Sequence, residues 1–180
     1  MSFNFKKLSI PDLLLIEPKV FIDERGFFME KYKQSDFKEQ GIPDFVQDNY
    51  SYSKFGVIRG LHYQLPPYAQ GKLVNVVKGK VLDVAVDMRK DSIYFGKWVG
   101  VELSDENNFS FYIPPGFAHG FVVLSPEAHF FYKCTREYNI NSERGVIFED
   151  PFLGIDWKVE NPQLCDRDRK LPKFSEAEKF

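Results

Sequence analysis

Hydrophobic residues in this chain recur mostly with a period of two, in short runs cut by proline, glycine and charged turns. The clearest runs are Lys72 to Val77 and Val81 to Met88. They flank Lys78-Gly79-Lys80 and predict a β-hairpin. In the second run Leu82, Val84, Val86 and Met88 share one face, and Asp83 and Asp87 the other. A first strand is expected over 12–22, with Pro18 marking an edge or a bend. A charged turn at 23–26 then runs into the aromatic stretch 27–30. Residues 45–53 alternate only loosely, and further strands are expected over 57–64, 94–103 and 109–113, the last two around a turn at 104–108. Pro114-Pro115-Gly116 makes a rigid turn into a strand carrying His119, and 128–135 gives another. Residues 141–145 read as an acidic turn before the apolar stretch 146–148. The helix expected in the first half is Ser35 to Gln40, with Ser35 as N-cap and Gly41 as its stop. Many short strands with little helix predict a mainly β, antiparallel sandwich or barrel. Residues 1–180 are read as a single domain, with a core over about 10–150 and a helical or irregular tail over about 151–180.

Composition narrows the possible partners. A formal net charge of −2 leaves no electrostatic footprint for nucleic acid. No apolar run reaches the roughly 18 residues needed to span a bilayer, so no membrane partner is expected. The first residues lack a secretory pattern. Cys134 and Cys165 form neither a disulfide framework nor a metal-type pair, so a reduced, cytoplasmic protein is the expectation, with a bridge between the two left open. The 19 Phe, 9 Tyr and 2 Trp suit a β-rich core and stacking surfaces.

The chemistry centres on Val57 to Gln64, VIRGLHYQ, which sets Arg59 and His62 in an otherwise strand-like run. Strict alternation sends them to opposite faces, so they share a site only if Gly60 marks a bulge. Taken alone, the octapeptide favours a core histidine with a satisfied hydrogen bond and an edge arginine in solvent. The histidines, His62, His119 and His129, offer no H-x-H or H-x-x-x-H spacing, so no catalytic metal is expected. His129 falls out of phase with Tyr132 and is read as structural. There is also no G-x-S-x-G, P-loop or G-x-G-x-x-G motif. The remaining groups suit proton transfer beside a carbonyl. A neutral imidazole can take the proton, and a carboxylate behind it fixes its tautomer. A lysine stabilises the enolate, and a tyrosine on the other face returns a proton. Spacing alone leaves open whether these groups meet.

Six blocks in order carry a resemblance: DERGFFME at 23–30, FVQDN at 45–49, RGLHYQ at 59–64, QGKLV at 70–74, PPGFAHGF at 114–121 and FYKCT at 131–135. Over roughly residues 5–170 the chain resembles the dTDP-4-dehydrorhamnose 3,5-epimerases. The resemblance implies a cupin-type jelly roll, a homodimer, no cofactor or metal, and a nucleotide-sugar substrate, dTDP-4-dehydro-6-deoxy-α-D-glucose. It also implies that His62 is the general base, Asp168 its paired carboxylate, Lys72 the enolate-stabilising lysine and Tyr132 the general acid. Substrate contacts are implied at Arg25, Phe28 and Glu30, with Arg25 and Glu30 arriving from a neighbouring chain. Further contacts are implied at Gln47, Asp48, Asn49, Arg59, His119, Tyr138, Glu143 and Arg167. Tyr138 would stack on the base, and Arg167 stands where the family usually has lysine. The rival readings are a mono-epimerase acting at C3 or C5 only, a metal-dependent cupin, and a non-catalytic nucleotide-sugar binding module.

Overall fold

A computed structural model describes residues 2–180. Two antiparallel sheets pack face to face. The six-stranded sheet runs in the order β1 (Phe3–Lys7), β2 (Leu14–Pro18), β10 (Ser110–Ile113), β7 (Lys72–Lys78), β12 (Glu127–Cys134) and β5 (Gln47–Lys54). The five-stranded sheet runs β13 (Glu143–Gly145), β6 (Ile58–Gln64), β11 (Phe117–Val123), β8 (Lys80–Asp87) and β9 (Trp98–Ser104). A separate hairpin joins β3 (Val20–Asp23) to β4 (Gly26–Met29). The chain passes repeatedly from one sheet to the other, as in a jelly roll.

That alternation corrects the hairpin expected around Lys78-Gly79-Lys80. β7 pairs with β10 and β12, whereas β8 pairs with β11 and β9. Gly79, at φ +87°, turns the chain from one sheet into the other, and a Cβ there would collide with the Glu127 carbonyl. The turn at 104–108 likewise links strands of different sheets. The expected strand over 12–22 breaks after Pro18 and continues as β3 in the separate hairpin. The strand expected from Tyr94 begins only at Trp98. Residues 143–145 of the expected acidic turn pair with β6 as a short strand. The first helix, α1, spans Gln34–Glu39 behind Lys33, which makes no side-chain cap, so Ser35 lies within the helix instead of capping it.

Three apolar layers follow from this topology. Between the sheets, Val74, Phe111 and Phe130 meet Val81, Ala85, Leu103 and Phe121. The outer face of the five-stranded sheet, with Ile58, Leu61, Val84 and Val86, is covered by Val146, Leu153, Trp157 and Phe174 from the C-terminal segment. Helix α1 places Phe37 on the outer face of the six-stranded sheet, against Phe3, Ile16 and Leu73. Both faces of β8 are therefore covered. The C-terminal segment also holds a second short helix, α2 (Asp166–Arg169), and its Gln163 exchanges backbone hydrogen bonds with Gly56 and Ile58 beside β6. Among the described residues no helix is long and apolar enough to cross a membrane.

Candidate active site

A cavity of about 660 Å³ opens between the sheets. Strand β6 supplies Arg59 and His62 to the same cavity, and a bulge brings them together. His119 on β11 faces His62, but Phe121 faces Arg59, so three steps on β6 match two on β11. Gly60, at φ +117°, sits at this irregularity, where a Cβ would stand 2.6 Å from the Gly120 Cα and the His119 carbonyl oxygen. Two glycine backbones thus approach where side chains would hold the strands apart.

His62 Nε2 lies 2.8 Å from Asp168 Oδ1 on α2, and Asp168 Oδ2 accepts the Gly60 N–H at 3.2 Å. The aspartate is buried. Burial raises its pKa, but the hydrogen bond and charge of His62, the Gly60 amide and the Cys165 thiol outweigh that effect. They hold the carboxyl below its ordinary value. With Nε2 engaged by the carboxylate, Nδ1 is the imidazole nitrogen left to exchange a proton.

A second histidine–carboxylate pair lies deeper. His119 Nε2 stands 3.0 and 2.9 Å from the two oxygens of Asp83, between the sheets. Burial pushes the Asp83 carboxyl up and the His119 imidazole down, so both are driven toward their neutral forms. Lys72 on β7 lines the cavity, and burial lowers its pKa against the opposing pull of Cys134, Asp83 and Glu143. Tyr132 on β12 also lines it, and burial raises its phenol.

The edge strand β5 forms a polar wall. Gln47 Nε2 donates to Asn49 Oδ1 at 3.0 Å, and Asn49 Nδ2 points at Cys134 Sγ at 3.6 Å. Arg59 Nε donates to Ser53 Oγ at 3.0 Å, and its Nη2 to the Tyr52 carbonyl at 3.2 Å. Ser51 Oγ is buried without a partner in the protein. At the mouth, Arg167 grips Glu143 with two hydrogen bonds of 2.9 and 2.6 Å, and Tyr138 Oη donates to the same carboxylate at 2.6 Å. Burial raises the Glu143 pKa, but Tyr138 and Arg167 overcome it and lower the pKa overall.

All four expected catalytic side chains, and Gln47, Asn49, Arg59, His119, Tyr138, Glu143 and Arg167, therefore line one cavity. Four expected contacts do not. Asp48 points to the other side of β5, where it pairs with Lys133 at 2.9 Å. Arg25, Phe28 and Glu30 lie on or beside the β3–β4 hairpin, outside this chain's cavity. Arg25 is paired with Asp23, and the Phe28 ring is exposed. His129 stands apart from the site, bonded to the Tyr50 hydroxyl and packed on Tyr52. Gln64, Gln70, Ser51 and Cys134 also line the cavity, and sequence reasoning did not pick them out as site residues. Asp83 had one visible signal, a carboxylate inside a Val/Leu/Ala run. Among the described residues no three His, Cys, Asp or Glu side chains converge in a group suited to a metal ion.

Residues 7–176 match the family model described as dTDP-4-dehydrorhamnose 3,5-epimerase. A Shigella flexneri protein of that description is 56% identical over 98% of this chain and 99% of its own. The crystal structure of a dTDP-4-dehydrorhamnose 3,5-epimerase from Sulfolobus tokodaii superposes with a TM-score of 0.95. It is 45% identical, and the match covers 100% of this chain and 99% of the other. The Legionella pneumophila dTDP-6-deoxy-D-glucose-3,5-epimerase, solved in complex with dTDP-4-keto-L-rhamnose, superposes with a TM-score of 0.93. It is 50% identical, with 97% and 94% of the chains covered.

Proposed function

Because this chain belongs to the dTDP-4-dehydrorhamnose 3,5-epimerase family, we propose that its cavity inverts C3 and C5 of dTDP-4-dehydro-6-deoxy-α-D-glucose by proton transfer, without metal or cofactor. The C4 ketone acidifies the hydrogens on both carbons. His62, through Nδ1, removes one of them while Asp168 stabilises the imidazolium. The C–H electron pair moves into an enolate whose oxygen is held by Lys72, an ammonium short of solvent that gains strongly from a nearby anion. Tyr132, kept protonated by its raised pKa, delivers a proton to the opposite face. Solvent then takes the proton from His62 and returns one to the Tyr132 phenolate, and repetition at the second carbon yields dTDP-4-dehydro-β-L-rhamnose. Arg59 and His119 contact the diphosphate or sugar, and Gln47 and Asn49 the nucleotide. Tyr138 stacks on thymine, with Glu143 and Arg167 binding beside it.

The observation that carries this reading is the His62–Asp168 contact inside a cavity that also holds Lys72 and Tyr132. Proton NMR of the substrate incubated in deuterated water tests it. Deuterium should enter at both C3 and C5, and a His62→Ala control should leave both unlabelled. Label at one carbon alone would assign a mono-epimerase, and label at neither would remove the substrate assignment.

The working form is a homodimer. Phe21, Ile22, Phe27 and Phe28 leave the β3–β4 hairpin with an exposed apolar surface. Arg25, Phe28 and Glu30 would then serve the cavity of a second copy. Sedimentation equilibrium should give twice the mass of one chain; a single-chain mass would sink this arrangement. Cys134 and Cys165 are unpaired, which suits a cytoplasmic enzyme. The C-terminal helix belongs to the same domain as the sheets, because it contributes Asp168 to a site built on them.

A further inference from the structure

The cavity contains one buried amide that the reaction does not use. Gln64 lies two residues beyond His62 on β6 and is 4% exposed. Its Nε2 donates to the Tyr68 carbonyl at 2.7 Å and to the Glu137 carbonyl at 3.3 Å, and its Oε1 accepts the Asn139 N–H at 2.7 Å. Both ends of the amide are satisfied. Two of these partners are the backbone groups immediately before and after Tyr138. The Tyr138 N–H in turn donates to Gln47 Oε1 at 2.8 Å.

The segment around Tyr138 lies between the end of β12 and the start of β13 and belongs to no strand. The Tyr138 ring is 49% exposed, so burial does not fix it. Its hydroxyl is tied to Glu143, and the rest of its placement depends on how its backbone is held, which side-chain amides do. Gln64 reaches it from the strand that carries the base. We propose that Gln64 is a positioning residue for nucleobase recognition: it clamps residues 137 and 139 so that the Tyr138 ring is preset to stack on the base, in register with His62. This rests on the dTDP-sugar reading of the cavity. A flat ring preset in this way binds with less loss of conformational freedom than one that must be ordered on binding.

Calorimetric titration of the full-length protein with dTDP and with inorganic pyrophosphate separates the base from the phosphates. Gln64→Met keeps the volume and removes every hydrogen bond. It should weaken dTDP about tenfold while pyrophosphate changes less than about twofold. Gln64→Asn keeps an amide but shortens its reach by one methylene, so it should show the same selective loss at smaller size. That variant decides the matter if Gln64→Met does not fold. In turnover, KM should rise with kcat nearly unchanged. Equal losses for both ligands, no loss for either, or a fall in kcat at constant KM would each overturn the clamp. A wild-type protein that binds no dTDP would instead overturn the reading of the cavity on which the clamp rests.

Discussion

Two histidine–carboxylate pairs bear on the same cavity, the second with its aspartate buried behind the wall, and they differ in almost everything except composition. His62 is 22% exposed at its side chain and paired with an aspartate on a short helix of the C-terminal segment. His119 is 8% exposed and paired with an aspartate on a central strand that is covered on both faces. The Asp168 carboxyl is held below its ordinary value by its partners, whereas burial drives Asp83 above it. The first pair is therefore an ionised carboxylate beside an imidazole with one nitrogen free for substrate. The second is a pair in which burial disfavours charge on both members, and the Phe130 ring stacks on the imidazole at 6.2 Å. A histidine beside an aspartate is not in itself a catalytic base. Access to substrate and the protonation state of the carboxylate decide which pair can act as one.

The contrast breaks most visibly in rate. In the deuterium-exchange assay, His62→Asn should lower turnover by about 10²–10⁴-fold, the usual worth of a positioned general base. His119→Asn should cost roughly tenfold and act mainly through KM, because it removes a binding donor and leaves the base in place. Equal kcat losses in the two variants would mean that both pairs move protons.

A smaller effect distinguishes the carboxylates by pH. Asp168 has a depressed folded-state pKa, so its stabilising contribution is present above the unfolded value of about 3.9 and is lost as pH falls through the folded one. The melting-temperature advantage of the wild type over Asp168→Asn should therefore shrink on acidification. Asp83 has the opposite sign. The folded protein holds its proton more firmly than the unfolded chain, so its contribution is present in acid and declines as pH rises through the folded pKa. Asp83→Asn imitates the protonated acid and should gain on the wild type as pH rises from about 4. Parallel pH profiles for the two variants would erase the distinction.

The two pairs were also unequally legible in the sequence. Period-two patterning marked most strands, but the octapeptide alone favoured a core histidine and an edge arginine in solvent, and Gly60 pointed to a bulge only on the condition that Arg59 and His62 share a site, as they do. Asp83 was visible as a charge in an apolar strand, yet nothing local linked it to His119, 36 residues away. Asp168 lies in a polar tail 106 residues from His62, and only the resemblance connected them. Sheet membership was also hidden. A Lys-Gly-Lys turn looks the same whether it closes a hairpin or carries the chain between sheets, because local φ/ψ preference does not encode which neighbour a strand will pair with. Covering both faces of β8 favours the crossing. The Gln64 clamp was unreadable for a related reason, since the two partners that flank Tyr138 are backbone groups of a loop more than seventy residues away.

The distance between His62 and Asp168 has a consequence for the making of the enzyme. Ribosomal synthesis delivers His62, its strand and the glycine that shapes it more than one hundred residues before Asp168, its partner. The His62–Asp168 pair is complete only when the segment bearing α2 has emerged and docks beside β6 through Gln163. Because the same segment brings Leu153, Trp157 and Phe174 onto the outer face of the five-stranded sheet, burial of that face and completion of the His62–Asp168 pair arrive together, at the end of synthesis.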